Sequence, residues 1–165
     1  MMRSILLISA AAFLLLACSE IAKEDFKPAP YILAEVASLP PYKLPAENPL
    51  TIEGVDLGRQ LFYDPILSRD STQSCASCHN QAFGFTDNGR AKSLGIKGKT
   101  GTRNAMPLFN LMWAPSYFWD GRLQSIHHQA LVPIQDSLEM NEELWHVVAK
   151  LQRTRTYPAA FKRAF

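Results

Sequence analysis

The chain has 165 residues and nearly balanced charge, 17 Lys and Arg against 15 Asp and Glu, for a formal net charge of +2. That balance lacks the basic excess of a nucleic-acid binder. A hydrophobic fraction of 47% with 19% charged residues excludes a disordered chain, and three cysteines exclude a disulfide-dense mini-protein.

The first element is an address. Arg3 supplies a positive start, and an apolar run from Ile5 to Ala17 is broken only by Ser9. The run is too short to span a bilayer and has the proportions of a signal-peptide core. It ends Leu15-Leu16-Ala17-Cys18, which resembles the lipobox of bacterial lipoproteins. That resemblance makes residues 1–17 a cleaved leader and Cys18 the lipidated first residue of an exported, periplasmic protein. Ser19 in place of Asp points to the outer membrane. Export places the remaining two cysteines in an oxidising compartment.

Residues 18–50 read as a proline-rich tether, with Pro28, Pro30, Pro40, Pro41, Pro45 and Pro49 forbidding a long helix. The stretch from Tyr42 to Leu50 reads as a strap approaching a domain that begins at Thr51. Thr51 predicts a cap for a helix running to about Asp64, with Pro65 ending it and Val55, Leu57, Leu61 and Phe62 on one arc. Gly54 and Gly58 lie in the same arc. They make either a merely weak helix or one whose backbone something approaches closely.

Residues 66–118 read as loop, punctuated by five glycines. A short helix is expected after Gly121, from Leu123, Ile126 and Ala130. A stronger one is expected after an Asn141 cap, from Leu144, Val147, Val148 and Leu151. A last turn is expected at Pro158. Strands are few at best. So little regular structure buries a small core, and a large planar cofactor would fill it.

Cys75-Ala76-Ser77-Cys78-His79 is the strongest motif. The spacing C-x-x-C-H attaches a c-type haem: two thiols bond the two vinyl groups of one porphyrin, and the adjacent His becomes the proximal iron ligand. A zinc site would need a second ligand pair, which His127, His128 and His146 do not form. A thioredoxin-like pair would need a strand leading in and a helix leading out. The sixth iron position decides between electron carrier and catalyst. Met106, Met112 and Met140 are its candidate ligands, each equally suited to core filling.

Further strings resemble the N-terminal haem domain of bacterial di-haem cytochrome c peroxidases. They are Arg103-Asn104, Phe118-Trp119-Asp120-Gly121-Arg122, Gln129-Ala130, Pro133-Ile134-Gln135 and Glu139-Met140, together with the run from Asp56 to Pro65. The resemblance covers residues 55–165. It implies that Gln129 and Glu139 stand over a vacant haem face. Gln129 would orient hydrogen peroxide, and Glu139 would serve as general base and then acid with a pKa raised by burial. It makes Trp119 a relay between two haems and Asn104 a calcium ligand at the junction of two haem domains. His127, His128 and His146 receive no role.

Two departures follow. Family members often carry a further His downstream that blocks the peroxidatic iron until the enzyme is reduced, whereas residues 93–99 here contain none. An iron open to peroxide without reductive activation is therefore expected. The chain also holds a single C-x-x-C-H, so it reads as truncated before a second haem domain, with its electron-entry haem and most calcium ligands absent. The expectation is a mostly α, loop-rich, cytochrome c-like haem c domain over residues 51–165. It would reduce hydrogen peroxide to water with electrons from a small cytochrome c or copper protein, and it would bind no nucleic acid. A mono-haem electron carrier with Met as sixth ligand remains the alternative. A relative that oxidises a protein substrate, maturing a tryptophan-derived quinone, also stays open.

Overall fold

A computed structural model describes residues 26–165 except 35, 36 and 43. The leader 1–17 and the lipidation candidate Cys18 lie outside the described residues. The domain is mostly α and loop-rich. Its helices are α1 (Ile52–Tyr63), a single turn α2 (Cys75–Cys78), α3 (Ile126–Gln135), α4 (Leu144–Gln152) and α5 (Tyr157–Ala164). Only isolated β-bridges, no strands, occur among the described residues.

Thr51 caps α1 as expected, its Oγ1 accepting from the Gly54 amide at 3.0 Å. Asp64 leaves helical geometry before Pro65, and its Oδ1 caps a following 3-10 turn, Pro65–Leu67. Of the two readings of the α1 glycines, the weak helix holds. A side chain at Gly58 would meet nothing, and one at Gly54 would meet only the capping hydroxyl. Each costs about 1 kcal/mol of helix propensity relative to Ala.

Two boundaries differ from expectation. Leu123 is extended, paired with Tyr117, and α3 starts later because Ser125 caps it through the His128 amide. Asn141 is not the cap of α4; Glu143 is. Asn141 instead sits at φ +49° and closes a turn onto the Asp136 carbonyl. Asn suits both positions, since its short polar side chain tolerates left-handed backbone as well as capping helices.

The proline-rich segment docks earlier than the strap predicted. Tyr31 N–H donates to Leu50 O, Ile52 N–H to Ala29 O, and the Ala29 amide to Glu53 Oε2. Trp113 holds the segment again, donating to Pro40 O at 2.8 Å and packing edge-on to Tyr42.

The core joins α1, α3, α4 and α5 through Leu57, Leu67, Ile134, Met140, Val147, Leu151, Tyr157, Ala160 and Ala164. Beside it lies a polar knot that sequence reading missed. Glu142, 2% exposed, accepts from His146 Nδ1 at 3.0 Å and from Lys150 Nζ at 3.1 Å. Lys150 Nζ also donates to Ser68 O, and the fully buried Ser68 hydroxyl accepts from the Gln73 amide while donating to Pro65 O. His146, given no role by the sequence, is half-buried in this knot. The knot ties α4 to the segment that leads into Cys75.

Candidate functional site

Small residues let one helical turn carry both thiols. Ser74 precedes the turn, and its amide donates to Ser77 Oγ at 3.0 Å. Cys75 and Cys78 are free and half-buried, and burial pushes both thiols up from their ordinary pKa.

His79 ends the turn, with its Nδ1 lying 3.1 Å from Phe85 O. A carbonyl only accepts, so Nδ1 carries the proton and Nε2 is left with its lone pair for a metal. Phe85 reaches this position at φ +58°, a conformation that aromatic residues seldom adopt and that the surrounding turn must enforce. That turn is built by Asn80, whose carbonyl accepts from the Phe85 amide at 2.8 Å. Burial holds the His79 pKa below its usual value, favouring the neutral imidazole that ligates iron.

A cavity of about 290 Å³ opens beside Cys78 and His79. It also gathers Gln129 from α3, Glu139 from the turn after α3, and Asn104 and Trp119 from the loops between. Seven of the eight candidate residues are described, and only Cys75 among these does not line the cavity, although it shares the turn of Cys78. Glu139 is raised above the usual carboxylate range, by burial first and by Asp136 second, against a lowering by Arg122. The indole of Trp119 is 55% exposed at the rim and donates to Asn104 O at 3.2 Å. Sequence reading gave no role to Arg103 and Arg122, which line the same cavity and both pair with Asp120, at 2.8 and 3.0 Å. Arg122 also stacks on Phe118, 3.6 Å from the ring centroid. His127 and His128 are exposed and outside the lining. Among the described residues no group of three His, Cys, Asp or Glu could hold a metal ion.

The candidate sixth ligands separate clearly. Met140 is buried in the hydrophobic core, and Met112 does not line the cavity. Met106 does, but its main chain lies beside the His79 ring.

A family model described as di-haem cytochrome c peroxidase matches residues 52–165. The chain belongs to the di-haem cytochrome c peroxidase family. It is 41% identical over 121 residues to the methylamine utilization protein MauG of Methylorubrum extorquens, covering 73% of this chain and 34% of that one. It is 36% identical over 140 residues to the cytochrome c551 peroxidase of Pseudomonas aeruginosa, covering 85% of this chain and 38% of that one. Among solved structures, a MauG-like protein associated with microbial copper homeostasis superposes with a TM-score of 0.76 at 33% identity, over 82% of this chain and 40% of that one. The chain thus spans 34% and 38% of the lengths of these two curated relatives.

Family membership implies a haem c cofactor, and the residues present fit it. Two unpaired thiols share one turn, the adjacent imidazole has its Nδ1 fixed by a carbonyl, and a cavity adjoins both. Ser93, also on the lining, has a buried hydroxyl with no partner among the described residues, the kind of orphan that a cofactor's polar edge satisfies.

Proposed function

We propose that this chain forms the peroxidatic haem c domain of a peroxidase that reduces hydrogen peroxide to water. The observation that carries the reading is the half-buried carboxyl of Glu139, with its raised pKa, sharing one cavity with Gln129, Cys78 and His79. Cys75, Cys78 and His79 would hold the haem, which when bound would supply the redox chemistry for cleaving the O–O bond. Gln129 donates a hydrogen bond that orients the peroxide. Glu139 takes one peroxide proton and delivers it to the oxygen that leaves as water, and the second oxygen becomes water with two protons from solvent and two electrons from the donor.

The electrons come from a small cytochrome c or copper protein. Trp119, exposed at the rim of the same cavity, is the entry relay, and Asn104 beside it contributes to calcium binding together with groups outside this chain. With no His in residues 93–99, the oxidised iron is open to peroxide without prior reduction. Burial of Met140 in the hydrophobic core and the position of Met112 off the cavity lining favour this reading over an electron carrier with a Met sixth ligand. Lipidation at Cys18 anchors the mature protein in the periplasm, at the outer membrane.

Stopped-flow mixing of the haem-loaded chain with hydrogen peroxide tests the proposal. Rapid spectral change in the oxidised protein, slowed by about 10² to 10⁴ in Glu139→Gln, is expected. An oxidised spectrum of purely six-coordinate, bis-His haem, or a Glu139→Gln variant that reacts normally, overturns it. Loss of acyl labelling and of membrane fractionation in Cys18→Ser tests the anchor.

A further inference from the structure

Glu139 lies on a turn rather than on a helix, so something outside that turn must keep its carboxyl in place. The segment pressed against it is residues 94–99. Gly95 makes the closest approach. A Cβ built there would collide with Leu138 O and lie 2.6 Å from Leu138 C and 2.9 Å from Glu139 Cα. All three are backbone atoms, which no rotamer change can move aside. The φ of Gly95 is −83°, open to every residue, so the requirement for glycine is one of space and not of backbone freedom.

The approach is locked on both sides. The Ile96 amide donates to Glu139 O at 2.9 Å, and Lys99 Nζ donates to Ser137 O at 3.2 Å. Ile96 is 2% exposed yet stands outside the main hydrophobic core, so its burial serves this contact. The other end of the segment is fixed to the attachment turn. Gln73, itself buried, donates from Nε2 to Leu94 O and reaches Cys78 Sγ at 3.5 Å. A continuous strut therefore runs from the Cys78 thiol through Gln73 and Leu94 to the main chain of Glu139.

We propose that Gly95 is a positioning residue for Glu139, its missing side chain letting residues 94–99 clamp the Glu139 backbone at a fixed offset from the cofactor-attachment turn. This rests on the reading of Glu139 as the proton-handling carboxyl. A side chain at 95 displaces that backbone, and misplacement of about 1 Å costs about 10²-fold in rate.

The test uses the haem-loaded full chain. Rates of reaction with hydrogen peroxide are measured across pH for wild type, Gly95→Ala, Glu139→Gln and the double variant, with amide hydrogen exchange at Ile96 followed in parallel. Gly95→Ala is expected to slow the reaction about 10- to 100-fold, to alter the acid limb of the pH profile and to speed Ile96 exchange, while covalent haem content stays unchanged. In the Glu139→Gln background it is expected to add no further loss, because it acts through that carboxyl. Should Gly95→Ala fail to accumulate, Gln73→Leu releases the far end of the strut, and a smaller change in the same direction is expected. A wild-type rate and pH profile in Gly95→Ala, or full additivity with Glu139→Gln, overturns the positioning role while leaving Glu139 intact. A wild-type rate in Glu139→Gln removes the reading beneath it.

Discussion

The hydroxyl of Tyr157 donates to Asp64 Oδ2 at 2.6 Å, joining the first turn of α5 to the residue that ends α1. The ring is 4% exposed, so the bond is shielded from competing water. Burial, and then the Asp64 carboxyl, push the phenol pKa well above its ordinary value. Tyr157→Phe is expected to lower stability by about 2 kcal/mol, the worth of a hydrogen bond to a charged group, read as a lower denaturant midpoint at unchanged slope. The pKa is raised in the folded state. The contribution is therefore complete below the unfolded phenol value near 10 and fades only at higher pH.

Glu142 carries the opposite sign. Its burial pulls the pKa up, but hydrogen bonds from His146, the Glu143 amide and Lys150 outweigh that and hold it below 4.5. Its stabilisation is thus present above the unfolded value and lost as pH falls through the folded one. Glu142→Ala strands the part-buried Lys150 ammonium and is expected to cost about 3 kcal/mol. Thermal melts across pH should show wild type losing stability below about pH 4.5, with the variant flat by comparison.

Glu139, raised by burial, sets the pH dependence of the proposed chemistry. As a base it must be ionised, so the peroxide reaction should accelerate as pH climbs through its folded pKa. The acid limb then lies above the ordinary carboxylate range. Glu139→Gln should abolish that limb and leave a slow, pH-independent rate, measured by stopped flow.

Met140→Leu separates core packing from iron ligation. Met140 is 4% exposed among Leu57, Leu67 and Leu151. A near-isosteric swap there should cost less than about 1.5 kcal/mol and leave the visible spectrum of the oxidised protein unchanged. Loss of a sulfur-to-iron charge-transfer band in Met140→Leu would instead establish the electron-carrier alternative.

Legibility in the sequence followed how local each feature is. The attachment turn is five contiguous residues with one chemical use, and Thr51 with Pro65 brackets α1 without help from the rest of the chain. Gln129 and Glu139 look like surface polar residues when read alone, and only the family resemblance paired them. Glu142 could not be read as buried, because Lys150, eight residues on, turns inward to reach both it and Ser68, which lies 82 positions before Lys150 along the chain. Asn141 misled because the residue that best caps a helix also best enters left-handed backbone. Gly95 looked like one loop breaker among five, and its tightness appears only once Leu138 folds back onto it.

Ser68 has a consequence for how the domain comes apart. Its hydroxyl and carbonyl together bind Pro65, Gln73 and Lys150, so the segment entering the attachment turn cannot peel away while α4 stays docked. Fraying there is forbidden short of whole-domain melting, and the Gln73 amide should exchange with solvent deuterium only as slowly as the entire fold opens.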